Sequence, residues 1–170
     1  MAGRVSVRSR CNERLNDMKH NSFRTFSEYM KNEENQLSAS MEDYLEMIYR
    51  LSKDTGFTRI NELSEALNVH PPSATRMVQK LGMLNLLKYE RYGVILLRPE
   101  GKMLGELLLN RHNTIESFFR LFGIDEKNIL AETEKVEHTL SAETVKCFER
   151  FISFVKENPD VLKRMNEYGK

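Results

Sequence analysis

Residues 58–81, TRINELSEALNVHPPSATRMVQKL, decide the fold of this chain. Apolar residues between Ile60 and Leu67 recur at helical spacing, which predicts a helix over Thr58–Val69. The pair Pro71-Pro72 predicts the start of a second helix, because proline is tolerated in a first helical turn. Two short helices joined by a tight turn indicate a helix-turn-helix.

The outward face of the second predicted helix carries only neutral polar and basic side chains. These side-chain types bond to the phosphates and base edges of duplex DNA. A generic helical hairpin would more usually carry acidic residues on that face too. We therefore predict DNA contacts through Ser73, Thr75, Arg76, Gln79 and Lys80.

A β-hairpin is predicted directly after these helices. Leu87–Glu90 and Val94–Leu97 are two short strand-like runs around a turn that contains glycine. A hairpin at this point in the chain is typical of the wing of a DNA-binding domain. Near its tip, Lys88, Arg91 and Tyr92 suit contact with the DNA backbone or minor groove, whereas a purely structural hairpin would explain the apolar residues but not the charges.

The charge distribution agrees with a DNA contact in this part of the chain. The whole protein of 170 residues has a formal net charge of only +1. Residues 58–98 contain six Lys or Arg against three Asp or Glu. A modest basic module in an otherwise nearly neutral chain is consistent with nucleic-acid binding.

The remaining apolar periodicity is helical, so the fold class is mainly α. Capping residues and prolines predict further helices that begin after Ser40, at Pro99, at Asp125, after Ser141 and at Asp160. The predicted helix from Asp125 continues to Leu140. The helix after Ser141 is rich in aromatic residues for one small domain, which indicates a subunit interface.

Six residues of metal-ligating type are distributed over three predicted helices. Three of them have helical spacings of i, i+3 and i+4, which puts them on one helix face. Such residues also occur on solvated faces, but four carboxylates and two imidazoles without a thiolate suit Mn²⁺ or Fe²⁺. Their formal charge of about −4 would neutralise two dications, so one or two ions per subunit are expected. The candidate ligands are Asp43, Glu46, His112, Glu134, Glu137 and His138.

Four segments of the chain resemble the diphtheria-toxin-repressor family, and most closely its manganese-responsive branch. They are SMEDYLEMIY at 40–49, HPPSATRMVQKL at 70–81, Arg111-His112 and VEHTLS at 136–141. The resemblance covers about residues 38–168. It implies a homodimeric transcriptional regulator that represses metal-uptake genes, with a winged helix-turn-helix followed by a helical dimerisation domain.

The resemblance also implies which metal is bound and where the domains end. The six candidate residues match the family's ligands, and iron-sensing members have Met and Cys where this chain has Asp43 and Glu134. Mn²⁺ is therefore the expected cofactor, with Fe²⁺ as the alternative. We expect a flexible arm over residues 1–37, the winged domain over 38–98, and the metal-binding and dimerisation domain over 99–170, with no SH3-like domain. One departure is Thr139, where the family often has a second histidine after His138.

Two other functions are compatible with parts of the sequence. Di-metal enzymes of the helical-bundle type carry a Glu-x-x-His on each of two helices, but here Glu134 and His138 are four residues apart and no second motif occurs. We therefore do not expect an enzyme. A winged-helix regulator that senses an organic ligand would leave the six ligand-type residues unexplained.

The expected location of the protein is the cytoplasm. Cys11 and Cys147 are far apart and outside any CxxC pattern, which is typical of free thiols in a reducing compartment. No apolar run approaches the roughly 18–20 residues of a membrane span. The expected partners are double-stranded operator DNA and a second copy of the chain, not a membrane.

Overall fold

The computed structural model describes residues 37–168, except for the side chains of residues 165 and 166. The predictions for Cys11 and for a flexible arm over residues 1–37 fall outside this range, apart from residue 37. Seven α-helices and three short strands form within it. In chain order they are α1 Ala39–Ser52, β1 Thr58–Arg59, α2 Ile60–Ala66, α3 Pro71–Met83, β2 Leu87–Tyr89, β3 Val94–Leu97, α4 Pro99–Leu121, α5 Glu126–Val136, α6 Ala142–Glu157 and α7 Pro159–Tyr168.

Helices α2 and α3 form the predicted helix-turn-helix, and β2 and β3 form the predicted wing. Asn68 adopts a φ of 51° in the turn between the two helices, a conformation that asparagine tolerates better than most residues. The three strands form an antiparallel sheet in the order β1-β3-β2. Leu63, Val78 and Leu81 on the inward faces of these helices are fully buried, so the outward face of α3 is held by a packed core.

The prediction of one helix from Thr58 to Val69 was wrong at both of its ends. Thr58 and Arg59 form strand β1, because they pair with Ile95 and Val94 of the wing. The Glu62 carboxylate then accepts hydrogen bonds from the Thr58 hydroxyl at 2.8 Å and from the Arg59 N–H at 2.9 Å. These bonds satisfy groups at the start of α2 that lack partners within the helix.

Two other predicted helix boundaries were also wrong. Helix α1 begins at Ala39, so Ser40 lies in its first turn and is not the N-cap. Helix α5 ends at Val136 rather than Leu140, and His138 lies in the turn that follows it. The predicted N-cap of α6 is confirmed, because the Ser141 hydroxyl accepts a hydrogen bond from the Thr144 N–H at 3.2 Å.

Two glycines allow the long helix α4 to approach its neighbours closely. A Cβ atom on Gly105 would lie 2.6 Å from the Cβ of Tyr49 in α1, and one on Gly101 would lie 1.9 Å from the carbonyl oxygen of Leu86. Any larger residue would therefore force the elements apart. The close contact brings the polar face of α1 opposite the middle of α4.

Aromatic residues join α4 to α6 and also leave an apolar surface. Phe118 stacks on Phe148 with ring centroids 3.8 Å apart, and Phe122 packs against Phe151 at 5.8 Å. Phe122 and Phe154 nevertheless remain about half exposed. Exposed aromatic area of this kind is typical of a protein–protein contact. Helices with the length and hydrophobicity of a membrane span are absent from the described part of the chain.

Candidate metal centre

Three elements bring all six predicted ligands to one region of the protein. Helix α1 carries Asp43 and Glu46 one turn apart, and α4 carries the buried His112 opposite them. The end of α5 and the turn after it carry the other three ligands, Glu134, Glu137 and His138. These residues are distant in sequence, so only the packing of α1, α4 and α5 unites them.

The six residues form two groups that share one carboxylate. In each group the candidate ligand atoms lie within 4.8 Å of one another. Hard dications bind oxygen ligands at about 2.0–2.6 Å, so ligand atoms on opposite sides of an ion are separated by up to about 5 Å. We call Asp43, Glu134, Glu137 and His138 the outer group, and Glu46, His112 and Glu137 the inner group.

Glu137 connects the two groups because its two oxygens face different imidazoles. Its Oε2 lies 2.9 Å from Nδ1 of His112, and its Oε1 lies 3.5 Å from Nε2 of His138. The Glu137 side chain is almost completely buried. A buried carboxylate with each oxygen turned to a separate group is suited to bridge two cations.

The outer group is completed by residues that remain partly accessible to solvent. Nε2 of His138 lies 2.8 Å from Oδ1 of Asp43. The Glu134 side chain is 51% exposed, and Asp43 is also partly exposed. Oxygen and nitrogen donors without sulfur suit Mn²⁺ or Fe²⁺ better than a structural Zn²⁺.

The inner group is buried throughout. Nδ1 of His112 lies 4.0 Å from Oε1 of Glu46, besides its contact with Glu137. All three members are among the buried residues of the chain. Burial of two carboxylates in one pocket is costly unless positive charge or protons offset it.

The environment of the cluster favours protonated ligands when no metal offsets their charge. Burial is the main cause that raises the pKa of Asp43, Glu46 and Glu134 above their ordinary values. Burial alone would lower the pKa of His112, but the hydrogen bond to Glu137 and its charge outweigh this and raise it. For His138, the carboxylates of Glu42 and Asp43 outweigh burial in the same way. Protons and a metal ion therefore compete for these groups, since a ligand must be deprotonated to bind metal.

A largely buried ion pair that the sequence analysis missed contacts the imidazole of the outer group. Nδ1 of His138 lies 2.8 Å from Oε2 of Glu42, and Nη2 of Arg111 lies 2.6 Å from the same oxygen. An Nδ1–H bond to Glu42 leaves Nε2 of His138 free to face the outer group. The available signal was adjacency, since Glu42 precedes Asp43 and Arg111 precedes His112.

The inner imidazole has a similar but more exposed support. Nε2 of His112 lies 3.3 Å from Oε1 of Glu116, and Glu116 also pairs with Arg120 at 3.2 Å. The Arg120 side chain is 43% exposed, whereas that of Arg111 is 11% exposed. Glu116 follows His112 by four residues on α4, so helical spacing could have identified it.

The predicted DNA-contacting residues lie on the outward face of α3 and on the wing. Ser73, Arg76, Gln79 and Lys80 are exposed, and the Arg76, Gln79 and Lys80 side chains form no hydrogen bond or ion pair within residues 37–168. The partly exposed Thr75 donates its hydroxyl hydrogen bond to the carbonyl of Pro71 at 2.9 Å. Unpaired donors on one helix face remain available for a polar partner.

The wing tip carries the other three predicted contacts. Tyr92 is 91% exposed and adopts a φ of 61°, and Arg91 beside it is exposed. Lys88 is exposed too, but Glu90 forms an ion pair with it. The positive charge available at the tip is thus smaller than the sequence alone implied.

Together, the winged helix-turn-helix and this cluster define a class of protein, the metal-dependent DNA-binding regulators. The chain belongs to the iron-dependent repressor family. The family's N-terminal DNA-binding domain matches residues 36–95, and its metal-binding and dimerisation domain matches residues 98–166. These matches confirm the resemblance to the diphtheria-toxin repressors and the fold class. They also confirm a metal-dependent transcriptional regulator rather than an enzyme, in a family that represses metal-uptake genes.

Curated relatives share the name HTH-type transcriptional regulator MntR. The protein of that name from Lysinibacillus sphaericus (strain C3-41) is 40% identical over 126 residues, which cover 74% of this chain and 91% of that protein. The one from Geobacillus thermodenitrificans (strain NG80-2) is 42% identical over 119 residues, which cover 70% of this chain and 84% of that protein.

A solved structure of the manganese regulator SloR is also similar. Its TM-score is 0.59 at 30% sequence identity, and the match covers 67% of this chain and 54% of that one. This chain spans about half the length of the first solved structures that it matches.

Proposed function

We propose that this chain is a Mn²⁺-responsive, homodimeric repressor that binds up to two ions per subunit. The observation that carries the proposal is the position of Glu137, which is shared by the outer and inner groups and has one oxygen facing each imidazole. Two ions of charge +2 would match the four carboxylates of the six ligands. Fe²⁺ is the alternative cofactor.

The choice of Mn²⁺ is supported by the acidic residues of the outer group. Asp43 and Glu134 give this group three carboxylates and one imidazole, and hard oxygen ligands favour a hard cation. The relatives named MntR and the manganese regulator SloR point in the same direction. Simple nitrogen and oxygen sites bind Fe²⁺ and Zn²⁺ more tightly than Mn²⁺, so discrimination must depend on the number and arrangement of ligands.

The ligands couple the DNA-binding unit to the dimer scaffold. When bound, a dication supplies the positive charge that four clustered carboxylates lack. Asp43 and Glu46 lie on α1, which packs against the helix-turn-helix, whereas the other four ligands lie on α4 and at the end of α5. The repulsion between these carboxylates would loosen the side-chain contact between α1 and the turn that follows α5 in the metal-free chain. Its removal would fix α3 relative to the dimer interface.

A homodimer is needed because a repressor of this kind reads two half-sites. Two recognition helices must be about 34 Å apart to enter successive major grooves of the operator. The exposed aromatic surface that includes Phe122 and Phe154 is suited to the contact between subunits. In this arrangement α3 would read the major groove through Ser73, Thr75, Arg76, Gln79 and Lys80, and the wing would add Lys88, Arg91 and Tyr92. Such a regulator acts in the cytoplasm.

The proposal is tested by measuring metal and DNA binding together. A fluorescence anisotropy titration of operator DNA with the full chain should give tight binding in Mn²⁺ and weak binding in chelator, with Fe²⁺ and Zn²⁺ as comparisons. A coupling free energy of typically ~1–3 kcal/mol is expected and must be reciprocal. Calorimetric titration of Mn²⁺ should therefore show tighter binding when operator is present. Equal Mn²⁺ affinity with and without operator would contradict the coupling.

The proposed DNA face is tested separately from the metal site. Arg76→Ala should weaken operator binding in saturating Mn²⁺ while the Mn²⁺ titration remains unchanged. If Arg76 contacts a phosphate, the salt dependence should fall by about one unit of slope, and if it contacts a base, sequence preference should relax by about 1–3 kcal/mol. Unchanged operator affinity in Arg76→Ala and Lys80→Ala would refute this assignment of the face.

A further inference from the structure

A cationic side chain of the protein itself contacts the inner group. Arg50 lies four residues after Glu46 on α1, and its Nη2 pairs with Oε1 of Glu46. That oxygen is the one that lies 4.0 Å from Nδ1 of His112. The guanidinium therefore contacts the Glu46 oxygen that faces His112, an atom that a metal in the inner group could use as a ligand.

The outer group has no equivalent competitor. Arg111 is nearby, but it pairs with Glu42, which lies behind His138 and is not a candidate ligand. Within residues 37–168, no lysine or arginine forms an ion pair with Asp43, Glu134 or Glu137. The two groups thus differ in whether a protein cation already contacts one of their oxygens.

The chemistry of arginine makes this competition independent of pH. A guanidinium is not deprotonated in proteins, so Arg50 can leave Glu46 only by moving. The Arg50 side chain is 35% exposed, whereas that of Glu46 is 10% exposed. The guanidinium therefore has access to solvent, where it can be rehydrated, while the Glu46 carboxylate stays in the pocket. Glutamate four residues before arginine is also the favourable order for a helical ion pair.

We propose that Arg50 is an internal cation of the inner group, and that a metal ion binds there only when the guanidinium leaves Glu46. This inference rests on the proposed function, because it assumes that the inner group binds Mn²⁺. Arg50 would partly offset the charge of Glu46 and Glu137 in the metal-free chain. It would also set a higher Mn²⁺ concentration for filling the inner group than for filling the outer group, so that full activation requires a second threshold.

The test removes the charge of Arg50 and follows Mn²⁺ binding by calorimetry. In the full chain, Arg50→Met should raise the Mn²⁺ affinity of the weaker of two binding events by roughly three- to tenfold, the range expected for loss of a partly exposed charge pair. The stronger event should change little. Arg50→Lys keeps a cation four residues after Glu46. Its Mn²⁺ affinity for the weaker event should therefore be close to that of the wild type. Lys127→Met is the matched control, because it removes one positive charge from an exposed pair with Asp125.

Thermal unfolding provides a second measurement that does not depend on DNA binding. Arg50→Met should lower the Tm of the metal-free chain, because Glu46 loses its partner, but should change the Tm in saturating Mn²⁺ much less. A purely structural role for Arg50 would lower both values equally. Electron paramagnetic resonance of Mn²⁺ should show the coupled two-ion signal at a lower metal-to-protein ratio in Arg50→Met than in the wild type.

The outcomes separate this inference from the function on which it rests. If the wild type binds no Mn²⁺, the proposed function fails and the inference fails with it. If the wild type binds Mn²⁺ but Arg50→Met titrates identically and loses stability equally in both states, only the role of Arg50 is refuted. If the wild type binds one ion and Arg50→Met binds two, the competition is strongly supported; one ion in both would overturn it.

Discussion

The outer and inner groups are assembled from the same side-chain types but differ in burial. Each has an imidazole whose second nitrogen faces a carboxylate that is paired with an arginine. All three members of the inner group are buried, whereas Glu137 is the only buried member of the outer group. If each group binds an ion, as proposed, this difference in burial predicts that the two ions bind in separate stages.

Burial and the ion pair between Arg50 and Glu46 both lower the affinity of the inner group for a metal ion. An ion that enters the outer group can keep water ligands on its exposed side, near Glu134. An ion that enters the inner group must lose more of its hydration and must displace Arg50 from Glu46. Removal of hydration is costly for a dication. We therefore expect the outer group to fill first.

The largest effect is expected from Glu137→Gln, because this residue belongs to both groups. The substitution preserves size but removes the charge that both ions would share. Mn²⁺ affinity should fall by more than about a hundredfold, beyond the roughly 10–100-fold cost of losing an outer-shell partner. Calorimetry and operator anisotropy measure this. Glu132→Gln, at a partly exposed position on α5, is the control and should bind normally. A variant at Glu137 that still binds two ions would remove the basis for a shared ligand.

A substitution in one group should weaken only one of the two Mn²⁺ binding events. Asp43→Asn should weaken the outer event and Glu46→Gln the inner event, each by about a hundredfold, the upper end of the cost of losing an outer-shell partner, with about one ion per subunit retained. The Mn²⁺ stoichiometry from calorimetry, supported by electron paramagnetic resonance, distinguishes them. Loss of both ions in either variant, or of neither, would contradict the division of the ligands into an outer and an inner group.

Glu42 and Glu116 face the second nitrogens of the two imidazoles, and their substitution should reduce Mn²⁺ affinity less than substitution of a ligand does. Glu42→Gln should weaken outer-group affinity by about tenfold, because its pair with Arg111 is buried and water cannot readily replace it. Glu116→Gln should cost only about two- to threefold, since Arg120 and its surroundings are exposed and hydrated. Nitrogen chemical shifts of His138 and His112 report the tautomer directly. Equal losses in the two variants would contradict the argument from burial.

Much of this arrangement could be predicted from the sequence, because several local patterns agreed. The prolines at 71–72 and the periodicity of α2 and α3 predicted the helix-turn-helix. The six candidate ligands were also predicted to converge, and the structure brings them together in two adjacent groups. Strand β1 was missed because two residues carry almost no periodicity, and their pairing with Val94 and Ile95 is a long-range contact.

What could not be predicted was the division of the ligands into two groups. That division depends on which oxygen of Glu137 faces which imidazole, and on side-chain rotations that no spacing specifies. The contact of Arg50 with Glu46 was visible as an i, i+4 pair, but its meaning depends on burial. The end of α5 at Val136 was missed because the acidic and apolar pattern continues past it into the turn.

The smallest expected effect is the pH dependence of the metal-free chain. The ordinary pKa values are 3.8 for Asp43, 4.5 for Glu46 and 6.5 for His112, and all three are raised in the folded protein. The folded state therefore binds more protons than the unfolded state above these ordinary values, and stability falls as pH rises through the raised ones. Between about pH 4 and pH 7.5, we expect the metal-free Tm to fall by a few degrees, of the order that follows from a change of about 1 kcal/mol.

Mn²⁺ should reverse this trend, because its ligands must lose their protons to bind it. The difference in Tm between chain with saturating Mn²⁺ and metal-free chain should therefore widen as pH rises. The double variant Asp43→Asn/Glu46→Gln removes two of the groups with a raised pKa, so its metal-free Tm should depend less on pH. A metal-free Tm that rises with pH more steeply in the wild type than in the double variant would mean that the clustered carboxylates are stabilised as anions. In that case the repulsion that is proposed to loosen the contact between α1 and the turn after α5 would be absent.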